Sequence, residues 1–162
     1  MIRQARHEEY DAINELRRQS CAVHGAGRPD RFKPGFPAGH RRRLQAMLDD
    51  PARYDVLVWE QEGRLLGYVL QEDVKEPDTA GMYGAHYAHV LELGVDGSAR
   101  GCGAGRRLME AAARCAAARG CTEMRLDVWE FNRGAIALYE KLGYATDVRA
   151  MSMPLKNLPE SP

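Results

Sequence analysis

A glycine-rich stretch at residues 100–105 carries the strongest chemical signal in the 162-residue sequence. It reads Arg-Gly-Cys-Gly-Ala-Gly and stands between an apolar run at 90–95 and a segment with helical periodicity. The first amides of a helix have no intrahelical partner and lie at the positive end of the helix dipole. Glycines let a bulky anion approach such amides without Cβ clashes. The pattern therefore predicts a site for a diphosphate.

Other diphosphate patterns do not fit this stretch. The dinucleotide fingerprint GxGxxG fails because Arg106 occupies the position of its third glycine, and the Gly-Lys-Ser/Thr of a Walker A loop is missing. The run 90–94 resembles the first motif of S-adenosylmethionine-dependent methyltransferases, but Asp96 replaces the second glycine of that motif. The 66 residues that follow it (97–162) are too few for the further βα units of that class, so a methyltransferase is disfavoured.

The elements that must position this loop follow from apolar periodicity and from glycine and proline breaks. We predict helices at 8–24, 41–48, 104–119 and 133–142, and strands at 1–4, 54–59, 64–71, 88–95, 121–128 and 144–153. Long loops are predicted at 25–37 and 73–86. In this order only the crossover between strands 88–95 and 121–128 requires parallel pairing. An α/β sheet with mostly antiparallel strands is expected.

Composition limits the class of protein. At 18.1 kDa and 44% hydrophobic residues, the chain is the size of one domain and can bury a core. The 23 basic and 23 acidic residues balance, so no nucleic-acid partner is expected. No apolar run approaches the ~20 residues of a membrane span, and the N-terminal residues lack the apolar core of a signal peptide. We therefore expect no membrane contact, a cytoplasmic location and reduced cysteines.

Two motifs resemble the GNAT superfamily of N-acetyltransferases. Arg100-Gly101-x-Gly103-x-Gly105 is similar to its pyrophosphate-binding motif, and residues 132–144, which read Asn-x-x-Ala-x-x-Leu-Tyr-Glu-Lys-Leu-Gly-Tyr, are similar to its second signature. The resemblance covers residues 1–155 as one acetyltransferase domain and leaves 156–162 as a C-terminal tail. It implies the single-domain acyl-CoA N-acyltransferase fold: a mixed, mostly antiparallel twisted sheet of about six to seven strands, with a splayed parallel pair and about four helices.

The resemblance also implies a co-substrate and a reaction. Acetyl-CoA would bind in a V-shaped gap between strands 88–95 and 121–128, and an acetyl group would pass directly to a primary amine of a small molecule, peptide or protein. A bulge near Gly94 would open the gap. The residues implied to bind the cofactor are Leu93, Gly94, Val95, Arg100, Gly101, Cys102, Gly103, Ala104, Gly105, Arg106 and Asn132.

Two residues are catalytic candidates under the same resemblance. Tyr139 matches the family's general acid, which protonates the departing thiolate. A tyrosine can do this at neutral pH because the pKa of a free tyrosine is ~10, so the phenol still holds its proton. Packing beside Leu138 and Leu142 would also explain a tyrosine at this position. Glu92 is the candidate general base, either directly or through a water chain, and a salt-bridged or solvent-facing strand glutamate is the structural alternative. Asn132 is also expected to cap the last helix.

The acceptor site is predicted from position and aromatic content. It would lie opposite the cofactor, with a lining of His24, Phe32, Phe36, Tyr83, His86 and Tyr87. No metal is expected, because the pair His86 and His89 has no carboxylate or cysteine at a recognisable ligand spacing.

Several questions stay open at the level of sequence. A domain of this shape could bind acyl-CoA as a sensor without turnover, and it could prefer a longer acyl group. The acceptor amine is not identified by any motif. Many relatives pair through their final strand, so the resemblance allows a homodimer.

Overall fold

Five strands form one sheet, in the order β1-β2-β3-β4-β5, in the computed structural model, which describes residues 1–155. The strands are Ile2–Gln4 (β1), Tyr54–Gln61 (β2), Arg64–Glu76 (β3), Ala85–Val95 (β4) and Glu123–Leu126 (β5). The helices are Tyr10–Gly27 (α1), Ala38–Asp49 (α2), Ala104–Ala118 (α3) and Arg133–Lys141 (α4). Short 3-10 turns occur at His7–Glu9 and Gly97–Ala99. The tail predicted at 156–162 lies outside the described residues.

The pairing pattern confirms the predicted mixed sheet. Strands β1 to β4 pair antiparallel with their neighbours, and β4 pairs parallel with β5. Helix α3 makes the crossover that this parallel pair requires. The four helices and the single parallel pair agree with the fold class that the sequence predicts.

Helices cover both faces of the sheet. Val56 and Val58 of β2 pack with residues of α1 and α2, whereas Leu57 and Trp59 of the same strand pack with α3. A strand that is buried on both faces reads as a continuous apolar run, as the sequence at 56–59 does. Within residues 1–155, no helix has an apolar stretch long enough to cross a bilayer.

Strands β3 and β4 are longer than the sequence predicts. The loop predicted at 73–86 is reduced to residues 77–84, because β3 runs to Glu76 and β4 begins at Ala85. In the added part Asp73 pairs with Ala88 and Lys75 with His86. The bonds of a ladder join backbone groups, so polar side chains do not end a strand where a partner strand is already in place.

The strand predicted at 144–153 is absent, so the sheet has five strands within the described residues rather than six to seven. Val148 is 85% exposed and Met151 is 88% exposed. Alternating apolar residues favour a strand, but a strand forms only with a partner backbone, and this segment pairs with no part of residues 1–155. The prediction was wrong because it rested on the pattern alone.

Candidate active site

A gap opens between β4 and β5 at one end of the sheet. Their parallel pairing ends at Val90 and Leu126, while β4 continues to Val95. Leu91 is a bulge: Leu70 of β3 pairs with Glu92 and the next residue of β3 pairs with Val90. Strand β4 therefore presents residues 91–95 along an edge that β5 does not occupy. The splayed pair is where the sequence predicts it, but the bulge lies at Leu91 and not at Gly94.

The glycine loop brings the start of α3 to the same end of the sheet. Gly101 and Gly103 have φ angles of +81° and +80°, in the left-handed region that favours glycine. Gly105 has a different role, since a Cβ built on it would lie 3.1 Å from Cδ2 of Leu138 in α4, a contact tight enough that the leucine would have to shift by a few tenths of an ångström. Two glycines therefore shape the loop, and the third lets α3 and α4 pack closely.

The first amides of α3 point out of the helix. The first intrahelical bond in this region runs from the N–H of Arg107 to the carbonyl of Gly103. The amides of residues 104–106 precede it and have no intrahelical acceptor. No side chain among residues 1–155 caps this helix. These amides, with the positive end of the helix dipole, form a site that suits an anion.

Three arginines flank the loop in different ways. The Arg107 guanidinium donates to the carbonyl of Cys102 at 2.7 Å and lies over the Trp59 ring, so it holds the loop. Arg100 is exposed, and its Nε is 3.4 Å from the carbonyl oxygen of Val95. Arg106 is 3.7 Å from Glu110, a loose pair at the surface. Arg100 and Arg106 are therefore the cations most available to a bound anion.

Glu92 lies in a buried charge network beside the gap. Nε and Nη2 of Arg17 donate to its two carboxylate oxygens at 2.9 and 2.6 Å. Arg17 is 1% exposed, and Glu92 is 25% exposed. Burial is the largest single effect and lowers the pKa of Arg17, but the hydrogen bonds to Glu92 and the neighbouring negative charges, Glu92 first, together raise it above its ordinary value. Glu92 therefore forms the salt bridge that was predicted from the sequence as the alternative to a catalytic role, and part of its side chain still faces solvent.

The Arg17 side chain is itself fixed by α1 and α2. Its Nη1 donates to Oδ1 of Asn14 at 3.1 Å and to the carbonyl of His40 at 2.6 Å. Tyr68 approaches Glu92 from β3, with its hydroxyl 3.3 Å from the carboxylate. Burial, followed by the Glu92 charge, raises the pKa of Tyr68 well above its ordinary value. Tyr68 therefore acts only as a neutral donor to Glu92.

Tyr139 and Asn132 lie on α4, next to the start of α3. The Tyr139 ring packs into the core cluster under α3 and lies 5.7 Å from the Tyr144 ring. Burial raises the pKa of Tyr139, so the phenol keeps its proton at neutral pH. Its hydroxyl makes no hydrogen bond to any of residues 1–155. Oδ1 of Asn132 accepts a hydrogen bond from the backbone N–H of Ala135 at 3.3 Å, which confirms the predicted helix cap.

The predicted acceptor residues separate into two groups. Phe32 and Phe36 lie on the α1–α2 side, where Phe36 stacks under the guanidinium of Arg17 at 5.7 Å. His86 and Tyr87 are at the other end of β4, about six residues and roughly 20 Å from Glu92 along the strand. Tyr83 is 95% exposed in the loop that precedes them. The structure therefore brings only Phe36 against the Arg17–Glu92 pair, while Phe32 packs with His24 and Trp129.

An aromatic cluster joins the segment after β5 to the end of α1, and its members Trp129 and Phe131 were not identified from the sequence. After β5 the chain leaves β4 and packs against the end of α1, with ring centroids 5.3 Å apart for Phe32 and Trp129 and 6.0 Å apart for His24 and Phe131. Arg28 lies over the Trp129 ring at 5.4 Å. In the sequence, the one indication of this cluster is that two aromatic residues, Trp129 and Phe131, stand just before the helix-capping Asn132.

Arg17 and Tyr68 are the other residues missed from the sequence. Arg17 follows Ile13 by four residues, so it stands on the buried face of α1, and a charged residue in that position indicates a buried partner. The sequence could not identify that partner, because Glu92 lies 75 residues away.

Comparison with known proteins gives consistent results. A model of the acetyltransferase (GNAT) family matches residues 5–144. A mutant BH1408 protein from Bacillus halodurans is 29% identical and superposes with a TM-score of 0.90, over 96% of this chain and 99% of that chain. An aminoglycoside N-acetyltransferase, AAC(6')-Iy, in complex with CoA has a TM-score of 0.71 at 17% identity, over 95% of this chain and 98% of that chain; this likeness concerns the fold alone.

A curated relative matches part of the sequence. It is the mycothiol acetyltransferase of Amycolatopsis mediterranei (strain U-32), which is 37% identical over 93 residues, or 56% of this chain. The match covers 31% of that relative, so the chain spans about a third of the length of the curated proteins it resembles.

Proposed function

The chain belongs to the acetyltransferase (GNAT) family, and on that premise we propose that it transfers an acetyl group from acetyl-CoA directly to a primary amine. The observation that carries the proposal is the meeting of two features at one end of the sheet. Strand β4 has an open edge at residues 91–95, and the uncapped start of α3 lies beside it. An extended chain that ends in a diphosphate, as CoA does, matches both features.

The cofactor would use backbone groups for most of its contacts. The pantetheine arm would lie along β4 and pair with Leu93 and Val95 as an added strand, with Gly94 between them. The diphosphate oxygens would accept hydrogen bonds from the backbone N–H groups of residues 101–106, and the positive charge of Arg100 would add an electrostatic attraction. The side-chain amide of Asn132 would contact the cofactor while its oxygen keeps the helix cap.

The transfer needs two proton movements. The amine nitrogen attacks the thioester carbonyl, and the oxyanion that forms would be met by a backbone N–H of Leu93 or Gly94. The C–S bond then breaks, and the thiolate of CoA takes the phenolic proton of Tyr139. The proton lost by the amine passes to solvent through a water molecule that Glu92 orients. The products are an amide, CoA and a tyrosinate that solvent reprotonates.

The Arg17–Glu92 pair supports a water-mediated role for Glu92. Both carboxylate oxygens already accept hydrogen bonds from Arg17, and one accepts a third from Tyr68. A carboxylate held in this way is fixed in orientation, so it suits the orienting of an amine or a water molecule. In this proposal Glu92 orients the incoming amine and a water molecule beside it, and that water carries the amine's proton away.

The acceptor would enter between α1, α2 and the segment after β5. Phe36 covers the Arg17–Glu92 pair on one side, and the aromatic cluster around Trp129 bounds the other. Aromatic walls beside a carboxylate suit an amine with an apolar or planar body.

The test has two stages. Thermal unfolding is measured with acetyl-CoA, CoA and S-adenosylmethionine, where a ligand at 100 times its Kd stabilises the protein by about 2.7 kcal/mol. We expect both CoA species to raise the Tm and S-adenosylmethionine to leave it unchanged; no shift with either CoA species would overturn the proposal. Release of free CoA thiol is then followed across a panel of amines. Binding without release for every amine would instead support an acyl-CoA sensor.

A further inference from the structure

Three side chains with different ligand atoms meet at the end of the sheet away from Glu92. Asp73 of β3, His86 of β4 and Cys121, which follows α3, each offer one ligand atom, and these atoms lie within 4.8 Å of one another. All three side chains are half-buried. Nothing in the proposed acetyl transfer uses them, because they lie roughly 20 Å along β4 from Glu92.

The two strands fix Asp73 and His86 side by side. Asp73 pairs with Ala88 and Lys75 with His86, so Asp73 and His86 are diagonal neighbours on one face of the sheet. Nε2 of His86 lies 2.7 Å from Oδ1 of Asp73. This contact sets the orientation of the imidazole ring.

The turn after α3 fixes Cys121 over the same face. The N–H of Cys121 donates to the carbonyl of Ala116, and the N–H of Gly120 donates to that of Ala117, with Gly120 at φ +82°. These are the bonds of a Schellman motif. The next residue, Thr122, donates both its N–H and its hydroxyl to the carbonyl of His86, at 2.8 and 3.1 Å. The cysteine is thus tied to the strand that carries the histidine.

The imidazole of His86 faces both partners. One ring nitrogen contacts Asp73, and a Cβ built on Gly120 would lie 3.9 Å from Cε1 and Nδ1 of the ring. Gly120 therefore lies against the Cε1–Nδ1 edge of the ring, while one ligand atom of the ring lies within 4.8 Å of those of both Asp73 and Cys121. No bulky side chain separates the ring from the turn, because residue 120 is a glycine.

We propose that Asp73, His86 and Cys121 bind one zinc ion, with water as the fourth ligand. A thiolate, a neutral imidazole and a carboxylate form a mixed S, N, O set that suits zinc and other borderline divalent metals. The two negative ligands balance the charge of the ion. The metal would join the β3–β4 ladder to the α3–β5 turn, which Thr122 otherwise ties to β4 through its two hydrogen bonds to the His86 carbonyl.

Small side-chain rotations complete the coordination. Bonds of about 2.0 Å to oxygen and nitrogen and about 2.3 Å to sulfur place tetrahedral ligands roughly 3.3–3.8 Å apart. The nitrogen and oxygen atoms, now 2.7 Å apart, would separate slightly to admit the ion, and the sulfur would approach them. The backbones of all three residues are already hydrogen-bonded, so only χ angles need to change.

The thiol is not poised for reaction by itself. Burial, and after it the charge of Asp73, raises the pKa of Cys121. The positive groups that oppose this effect are Arg119 and Lys75, and Asp55 adds to it. A divalent cation would reverse the balance, because the same carboxylate that disfavours the thiolate would share the ion with it. Binding would release the thiol proton to solvent.

The sequence argued against a metal because the ligand spacing has no recognisable form. The intervals are 13 residues from Asp73 to His86 and 35 residues from His86 to Cys121. Two strands and a crossover helix bring these positions together, and no short motif records that.

The direct test is a cobalt titration of the full, tag-free chain after removal of metals with a chelator. One equivalent of Co²⁺ should produce a thiolate-to-cobalt charge-transfer band that one equivalent of Zn²⁺ removes. The band should be lost in Cys121→Ser and His86→Gln and retained in Cys115→Ser, a control that removes another half-buried cysteine near the end of α3. No band at one equivalent, or a band that Cys121→Ser keeps, would overturn the proposal.

A second measurement needs no variant. The wild-type chain is treated with a thiol alkylating agent in mild denaturant, with and without Zn²⁺, and the modified cysteines are mapped by mass spectrometry. Zinc should slow the alkylation of Cys121 at least about tenfold and leave that of the exposed Cys102 unchanged. Equal protection of both, or of neither, contradicts the site. The result is independent of acetyl transfer, which neither measurement monitors.

Discussion

Gly94 lies directly under the ring of Tyr68. The two residues are paired across β3 and β4, and a Cβ built on Gly94 would lie 2.3 Å from Cε1 of the ring and 2.9 Å from its hydroxyl oxygen. The missing side chain lets the ring cross β4 and reach Glu92, to which the hydroxyl donates at 3.3 Å. The absence of a Cβ on Gly94 therefore makes room for the hydrogen bond between Tyr68 and Glu92.

Gly94→Ala should destabilise the protein by about 1–3 kcal/mol, because the Tyr68 ring is fully buried and has no space to move into. The check is the free energy of unfolding in urea, with Gly25→Ala as the matched control, since a Cβ there meets nothing within 4 Å. Adding Tyr68→Leu should recover part of the stability and none of the acetyl transfer. A Gly94→Ala protein as stable as its control would contradict the close contact.

Gly103→Ala should weaken CoA binding at least about tenfold, with a stability loss of about 1 kcal/mol. The φ of +80° costs an alanine roughly 1–2 kcal/mol, and a loop that relaxes from it turns its amides away from the diphosphate. Calorimetric titration with CoA measures the effect. Gly134→Ala, in α4 and with open space around its Cβ, should bind CoA as the wild type does.

The glycine loop before α3 could be predicted from the sequence, and the surroundings of Glu92 could not. Residues 100–105 form a continuous motif, so their conformation is encoded locally and the loop at the start of α3 agrees with it. The surroundings of Glu92 depend on Arg17, which is 75 residues distant and belongs to a different helix. His86 and Tyr87 were grouped with Phe32 from their residue type, but the register of β4 places them at its opposite end.

Removing one partner of the Arg17–Glu92 pair should cost about 3–5 kcal/mol, because the other charge then stays buried without compensation. Arg17→Met and Glu92→Gln each test this, and the double variant gives the coupling energy, expected above about 1 kcal/mol. The matched control is Arg18 with Glu15, an exposed pair 3.1 Å apart on the same helix, whose coupling should stay below about 0.5 kcal/mol. Equal coupling in both cycles would refute the buried network.

Glu9 should make the stability fall at acid pH. Hydrogen bonds from Arg3, together with the backbone amide and guanidinium of Arg6, lower the pKa of Glu9 from 4.5 to about 2, against the effect of burial. The unfolded chain therefore takes up the proton first as the pH falls. The stabilisation is complete above pH 4.5 and disappears as the pH approaches 2.

Between these limits Glu9→Gln should flatten the dependence of the unfolding free energy on pH by up to about 1.4 kcal/mol per pH unit. Glu8→Gln is the control, since its side chain is exposed, and it should keep the wild-type slope. Identical slopes for the wild type and Glu9→Gln would show that the carboxylate is not specially stabilised in the folded protein.

Tyr139→Phe should lower kcat at least about 100-fold while the KM for acetyl-CoA changes less than about twofold. The phenol donates its proton only as the C–S bond breaks, so its loss affects the transition state and leaves the binding of the cofactor intact. The control is Tyr144→Phe, which should keep wild-type kcat. It removes the hydroxyl of a neighbouring ring whose centroid lies 5.7 Å from that of Tyr139.

The pH profile separates this role from packing. Burial raises the pKa of Tyr139 above its ordinary value of 10, so the wild-type kcat should show no fall at alkaline pH until above pH 10. A phenylalanine has no proton to lose, so the residual activity of Tyr139→Phe should have no such limb. If Tyr139→Phe and Tyr144→Phe lower kcat equally, and both lower the Tm, the ring of Tyr139 is a packing residue and the thiolate is protonated by another group or by solvent.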